Sequence, residues 1–211
     1  MTVRLWHVAQ SRSFRVLWAL EEMGVAYEMI SCSFFDRSLR EDSHLARSPA
    51  GRVPAIEIQA QPMCESGAIL LYLAERFAPS LRVAEGARER AAFLQALHYA
   101  ETLAVHLANL TQHHIILRAP SMRSETVMRL EAKRLENALR AVGPDWAAGT
   151  FSVADIALGY AVHLAQRFVA LPEPAAAYLA AIHARDAFQR ALAKDGPAQI
   201  YTQDFYPPPE G

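Results

Sequence analysis

Every β-type run in this 211-residue chain falls before Glu65, and from Ala87 onward the pattern is helical throughout. A chain divided in this way cannot build one continuous sheet, so it must fold as a small α/β layer followed by a helical body. Val3 to Val8 and Tyr27 to Cys32 are short β-type runs. Between them Arg15 to Met23 has helical periodicity, with Val16, Leu17, Leu20 and Met23 on one face and Gly24 as the stop. The polar stretch Asp36 to Ser48 predicts an irregular helix. Pro54 to Ile58 and Pro62–Cys64 read as paired strands about a turn at Gln59–Gln61. Ser66 to Phe77 is an apolar helix ended by Pro79. The order is β-α-β-α-β-β-α.

The second half predicts helices over Arg88 to about Leu117, Ser124 to Val142 (bounded by Gly143–Pro144), Val153 to about Phe168, Ala175 to Ile182 and Ala187 to Lys194. The tail Pro207-Pro208-Pro209 cannot join a helix or a central strand. The expected division is a domain over 1–78, a linker over 79–86 and an all-helical domain over 87–211.

Composition narrows the function classes. Hydrophobic residues make up 52% of the chain, which supports a filled core and argues against disorder. The net charge of −1, with acids and bases interspersed, lacks the electrostatic footprint of a nucleic-acid binder. No apolar run approaches the ~20 residues that span a bilayer, so no membrane association is expected. Met1 to Ala9 has no basic start followed by an apolar signal core, and a cytoplasmic location is the expectation. Cys32 and Cys64 form no CxxC pair, and neither they nor the His113–His114 pair has metal-ligand spacing. No metal site is expected.

Three segments carry a family pattern. The first is Ser11-Arg-Ser-Phe-Arg-Val-Leu-Trp-Ala-Leu-Glu-Glu-Met-Gly24, followed by Val-Ala-Tyr-Glu28. The second is Ser48-Pro-Ala-Gly-Arg-Val-Pro54, then Cys64-Glu-Ser-Gly-Ala-Ile-Leu-Leu-Tyr-Leu73. The third is Phe151-Ser-Val-Ala-Asp-Ile156. In this order and spacing they resemble the glutathione transferase superfamily over nearly the whole chain, and its bacterial, serine-type members in particular. Ser48 stands where Asn is commoner, and Arg185-Asp186 where Arg-Pro is commoner. The resemblance implies a thioredoxin-like N-terminal domain followed by an all-α C-terminal domain. It also implies a homodimer that takes glutathione as co-substrate, without a further cofactor, and a hydrophobic electrophile.

The residues bear on chemistry as follows. Ser11 and Ser13 both precede the first helix, and either suits an N-cap. The residues alone leave capping and catalysis level. The resemblance favours Ser11, because serine-type members place the active hydroxyl four residues before an Arg, here Arg15. A cysteine-like thiol has a pKa of about 8.5, so only a few per cent is thiolate at neutral pH. A serine hydroxyl cannot serve as the base, but it can donate a hydrogen bond to the thiolate. Such a bond is worth roughly 1.5–3 kcal/mol, or about one to two pKa units, and a helix N-terminus adds to it.

Val53-Pro54 reads either as an ordinary strand start or, from the resemblance, as a cis bond. The cis form presents the Val53 backbone to the cysteinyl peptide unit of glutathione as an added strand. Ser66 suits a cap and also a carboxylate at a helix N-terminus, here the γ-glutamyl end, with Glu65 beside the ammonium group. Arg52, Arg40 and His44 are candidates for the glycine carboxylate, Arg52 foremost because it adjoins Val53. Ser152 to Asp155 has the form of a capping box, flanked by Phe151 and Ile156. His98 to His106, with His113 and His114, lies on a helix that borders the electrophile pocket and the dimer interface in the family. Histidines at helical spacing are more often packed than catalytic.

The function implied is conjugation of the glutathione thiolate to electrophilic small molecules. Two alternatives remain. One is a glutathione-dependent thiol/disulfide or peroxide reductase, which would favour a cysteine where Gln10-Ser-Arg-Ser13 stands. The other is a non-catalytic glutathione-binding module. For the dimer, the Ala-rich stretch Ala91 to Ala108 and the apolar run Ala68 to Leu73 are the candidate partner surfaces.

Overall fold

Four strands make one sheet in the order β2-β1-β3-β4. They are β1 (Val3–His7), β2 (Tyr27–Ser31), β3 (Ala55–Ile58) and β4 (Gln61–Cys64). The computed structural model describes residues 2–143 and 149–209. β1 runs parallel to β2, joined by helix α1 (Ser13–Met23), and antiparallel to β3, which pairs with β4 as a hairpin. Gly24 ends α1 at φ 61°, the left-handed C-cap that glycine adopts without cost. The hairpin turn uses Gln59 and Ala60, both at positive φ, in place of the usual Asn-Gly.

Alternation along β1 sorts its side chains. Val3, Leu5 and His7 share one face, while Arg4, Trp6 and the following Val8 share the other. On the second face Trp6, Val8, Cys32, Leu39, Val53 and Ala55 form a small core. Arg4 bridges the strands there, bonded to Glu28 at 3.0 Å and Glu57 at 3.2 Å. Arg47 lies 4.4 Å over the Trp6 ring. The stretch expected to be an irregular helix is a 3₁₀ turn (Ser38–Arg40) and the short helix α2 (Asp42–Leu45). Gly51 is required here. At φ 61°, a Cβ would lie 2.8 Å from the Leu39 carbonyl.

α1 is buried from Ser13 through Glu21 and packs against α3 (Ser66–Phe77) and α8 (Asp186–Asp195). Two compact units emerge from the contacts. One is Met1–Arg82 with Ala184–Gln199, and the other is Val83–His183 with Ile200–Gly211. The last helix, expected in the helical domain, therefore belongs to the first unit. The cause is visible in its side chains. Phe188 meets Phe14 and Trp18 edge-on, at 5.5 and 5.0 Å between ring centres. Glu21 takes Lys194 at 2.6 Å and Arg190 at 3.1 Å, and Glu22 takes Arg185 through its Nε and Nη2.

In the second unit α4 (Arg90–Thr111) packs with α5 (Glu125–Leu139) and α6 (Val153–Ala165), and α6 packs with α7 (Glu173–His183). α4 runs into a wider π-type turn over Gln112–Ile116. Ala96, Ala100 and Ala104 lie on the buried side of α4, while Ala91, Ala92 and Ala108 are exposed. The exposed stripe of α4 is Ala91, Gln95, His98, Thr102, Val105 and Asn109. The expected helix stop at Pro144 lies outside the described residues.

The Ser152 capping box is complete. The Asp155 carboxylate accepts from the Ser152 backbone N–H at 2.9 Å, and the Tyr178 hydroxyl donates to it at 3.1 Å. Burial pushes the Asp155 carboxyl up, against the pull of these donors. Asp155→Ala removes the box and takes the acceptor from three buried donors, the Ser152 N–H and the Ser152 and Tyr178 hydroxyls. We expect a loss of about 2 kcal/mol of stability by urea unfolding. Asp155→Asn, which keeps an acceptor oxygen, should cost less, and equal losses would show that the bonds are immaterial.

Candidate functional site

Strand register gathers the candidate residues. Trp6 pairs with Ala55 and Ala55 with Cys64, so these three form one row across the sheet. Just past that row, at the same end, the chain continues into His7 to Ser11 from β1 and Glu65-Ser66 from β4, and Val53-Pro54 leads into β3. Residues 11, 53, 54, 65 and 66 are thereby brought to one edge although up to 55 positions separate them. The Val53-Pro54 bond is cis. Val53 and Pro54 are buried, whereas Arg52 and Glu65 are exposed.

The loop that carries Val53 is held from within. Ser48 Oγ accepts the Arg52 N–H at 3.2 Å, and the buried His44 ring contacts the Arg52 carbonyl through Nε2 at 3.0 Å. His44, a candidate for the glycine carboxylate, is thus engaged through Nε2 with the backbone. Arg40 is exposed on the 3₁₀ turn.

Ser11 and Ser13 are not equivalent. Ser13 is fully buried as the first residue of α1, and its Oγ lies 2.8 Å from His7 Nδ1 and accepts the Val8 N–H at 3.2 Å. Ser11 is the outer member of the pair, 8% exposed, with its Oγ 2.8 Å from Ser13 Oγ. It also accepts the Ser13 N–H at 3.2 Å, and neither serine forms a standard N-cap.

Arg15 is more than a marker for Ser11. It is fully buried one turn into α1 and donates to Ser66 Oγ at 3.2 Å, tying the start of α1 to the start of α3. Ser66 is therefore the first residue of α3 and not its cap. Glu65 holds the cap position at φ 75°, outside the comfortable region for a side-chain-bearing residue. Gln10 sits at φ 62° in the turn before α1. Such strain costs about 1–3 kcal/mol per residue and concentrates at functional sites.

His7 is a residue that sequence reasoning passed over. It is 2% exposed, with Nε2 at 3.1 Å from the Asp195 carbonyl and 3.2 Å from Asp195 Oδ1. Asp195 Oδ2 accepts the Gln10 N–H at 2.9 Å. The available signal was the alternation of β1, which places a polar ring on the buried face beside Val3 and Leu5, where it must find partners.

His98 is exposed on α4, whereas other histidines of the second unit are engaged in packing. His106 Nδ1 lies 2.7 Å from Glu131, His113 Nδ1 accepts the Ser124 N–H at 3.1 Å, and His114 packs on Phe168. Cys32 and Cys64 are free thiols, and burial pushes the Cys32 thiol up. Among the described residues no group of three or more His, Cys, Asp or Glu is placed to hold a metal ion, and no helix is long and apolar enough to cross a membrane.

Residues 1–75 match the family model described as "Glutathione S-transferase, N-terminal domain". The structure of the theta class glutathione S-transferase from Xanthomonas axonopodis pv. citri, with glutathione bound, superposes with a TM-score of 0.77 at 26% identity. That alignment covers 90% of this chain and 96% of the other. Residues 1–75 belong to the glutathione transferase superfamily. The chain's thioredoxin-like first part and helical remainder are the glutathione transferase fold. Among curated proteins, glutathione S-transferase 4 of Zea mays is 42% identical over 67 residues, covering 32% of this chain and 30% of the maize protein. Maleylacetoacetate isomerase of Rhizobium meliloti (strain 1021) is 40% identical over 65 residues, covering 31% of this chain and 30% of that one. The matches thus span about a third of either protein's length, while the glutathione transferase architecture extends over nine-tenths of the chain.

Proposed function

We propose that the protein binds glutathione at this sheet edge and conjugates its thiolate to electrophilic small molecules. The observation that carries the proposal is the position of Ser11, an outer hydroxyl just before a helix start, fixed by a buried partner and gathered with Val53, Glu65 and Ser66. Ser11 donates to the thiolate. The Val53 backbone pairs with the cysteinyl unit, next to the cis Pro54, and Ser66 with Glu65 takes the γ-glutamyl head, while Arg52 faces the glycine carboxylate. A reductase would need a nucleophilic thiol at the start of α1. Ser11 and Ser13 stand there instead, and the raised pKa of Cys32 opposes its reactivity. Retention on immobilised glutathione followed by thiol-addition assays over a panel of electrophiles tests the reading. Binding without turnover of any electrophile would leave only the binding-module alternative.

Glu65→Ala should weaken glutathione binding about ten- to a hundredfold, the loss of one charge-assisted contact. Calorimetry that returned an unchanged dissociation constant would remove Glu65 from the site.

The protein further acts as a homodimer. Its candidate faces are the exposed stripe of α4, with Val105 56% exposed, and the outer side of α3, where Ala68 is exposed and Leu71 and Tyr72 are half-buried. Light scattering at micromolar concentration should give twice the chain mass, and the mass of a single chain would overturn the dimer.

A further inference from the structure

A hydroxyl carries one proton, and that count decides what the Ser11–Ser13–His7–Asp195 chain can do. Nε2 of His7 faces two oxygens of Asp195, so it bears a hydrogen. In a neutral ring Nδ1 is then a lone pair. Ser13 has two acceptors in reach, Nδ1 at 2.8 Å and the Val8 carbonyl at 3.2 Å; its proton takes the shorter bond, to Nδ1, and Ser11 becomes the donor in the 2.8 Å contact with Ser13. The Ser11 proton then points inward, away from any thiolate. For Ser11 to donate outward while both contacts persist, Ser13 must donate to Ser11 and Nδ1 must donate to Ser13. That arrangement needs a second ring N–H, hence an imidazolium.

We infer that His7, held by Asp195, receives the thiol proton of bound glutathione through Ser13 and Ser11. This rests on the reading that Ser11 meets the thiol. The step balances. The S–H proton passes to Ser11 Oγ as the Ser11 proton passes to Ser13 Oγ and the Ser13 proton to His7 Nδ1. The products are a thiolate and an imidazolium, with both hydroxyls turned towards the sulfur. No proton needs to leave the protein, and no hydroxyl acts as a base on its own.

A charged ring has a counter-charge at hand. Asp195 Oδ1 is buried and accepts no hydrogen bond among the described residues, so a cation at 3.2 Å compensates it. The groups facing the ring can be named from each side. α8 presents the Asp195 carboxylate, with its neighbours Lys194 and Arg190 engaged on Glu21. α1 presents Ser13, and beyond β2 Cys32 donates its backbone N–H to the His7 carbonyl at 2.7 Å, its thiol kept neutral by burial. His7 acts through two hydroxyls and is a positioning residue, not one that touches substrate.

Nitrogen NMR of the wild-type protein tests this without any variant, since ring shifts report which nitrogens are protonated. Glutathione should move His7 Nδ1 from the unprotonated to the protonated position. S-methylglutathione, which lacks the thiol proton, should bind and leave the ring unchanged. Calorimetry in buffers of different ionisation enthalpy should count fewer protons released than thiolate formed. Ser13→Ala, which cuts the chain, should restore one proton released per thiolate. A ring that looks the same with both ligands, or proton release equal to thiolate in the wild type, would overturn the relay and leave the binding reading standing. Absence of glutathione binding or of thiolate would overturn the binding reading itself.

Discussion

Ser11→Ala should raise the pKa of the bound glutathione thiol by about one to two units. Conjugation near neutral pH should slow about ten- to a hundredfold, with glutathione affinity little changed. The hydroxyl removed is small, and Ser13 beneath it keeps its bonds to Val8 and His7, so the fold should survive. The contacts assigned to glutathione at Val53, Glu65 and Ser66 lie on other elements. Only the bond made to the charged sulfur disappears, which separates this variant from Glu65→Ala. Thiolate absorbance followed against pH for the two proteins checks it. Superimposed titrations would take Ser11 out of the chemistry.

The second large effect is acid destabilisation of the helical unit through His163 and His183. Their rings meet at 3.0 Å between Nδ1 and Nε2, and the Gln166 side-chain amide reaches His163 Nδ1 at 3.2 Å. Burial pulls His163 down to about 4, helped by the nearby His183 and Arg167, and burial pulls His183 down as well. Both rings are therefore neutral in the fold. An unfolded histidine titrates near 6.5, so between that pH and about 4 the unfolded chain holds more protons than the folded one. Stability is complete above the unfolded value and falls as the pH drops towards the folded one. His163 alone should remove about 3 kcal/mol over this window. Urea midpoints measured from pH 7.5 to 4 should decline accordingly, and His163→Gln should flatten the decline. An unaltered slope in the variant would assign the acid sensitivity elsewhere.

The elements built on local rules were legible in the sequence. Ser66–Phe77 starts and ends where the apolar run and Pro79 place it, and Ser152 with Asp155 declares its capping box. What depended on partners far along the chain was not. Ser66 looked like a cap, and only the arrival of Arg15 shows its oxygen engaged elsewhere. His7 and Asp195 lie 188 positions apart, and no periodicity links residues at that distance. The site was thus readable as a set of residues, while the groups behind Ser11 were not.

The membership of α8 in the first unit has a consequence for how the chain is made. Phe14 and Trp18 find their aromatic cover, and Glu21 and Glu22 their cations, on residues 185–194. Domains ordinarily complete themselves in order as they leave the ribosome. Here the first unit waits, with the outer face of α1 bare and His7 without its aspartate, until residues 185–195 have emerged. The helical half, whose sequence runs between the two pieces, has its main helices in place earlier. The segment translated first is the one that finishes last.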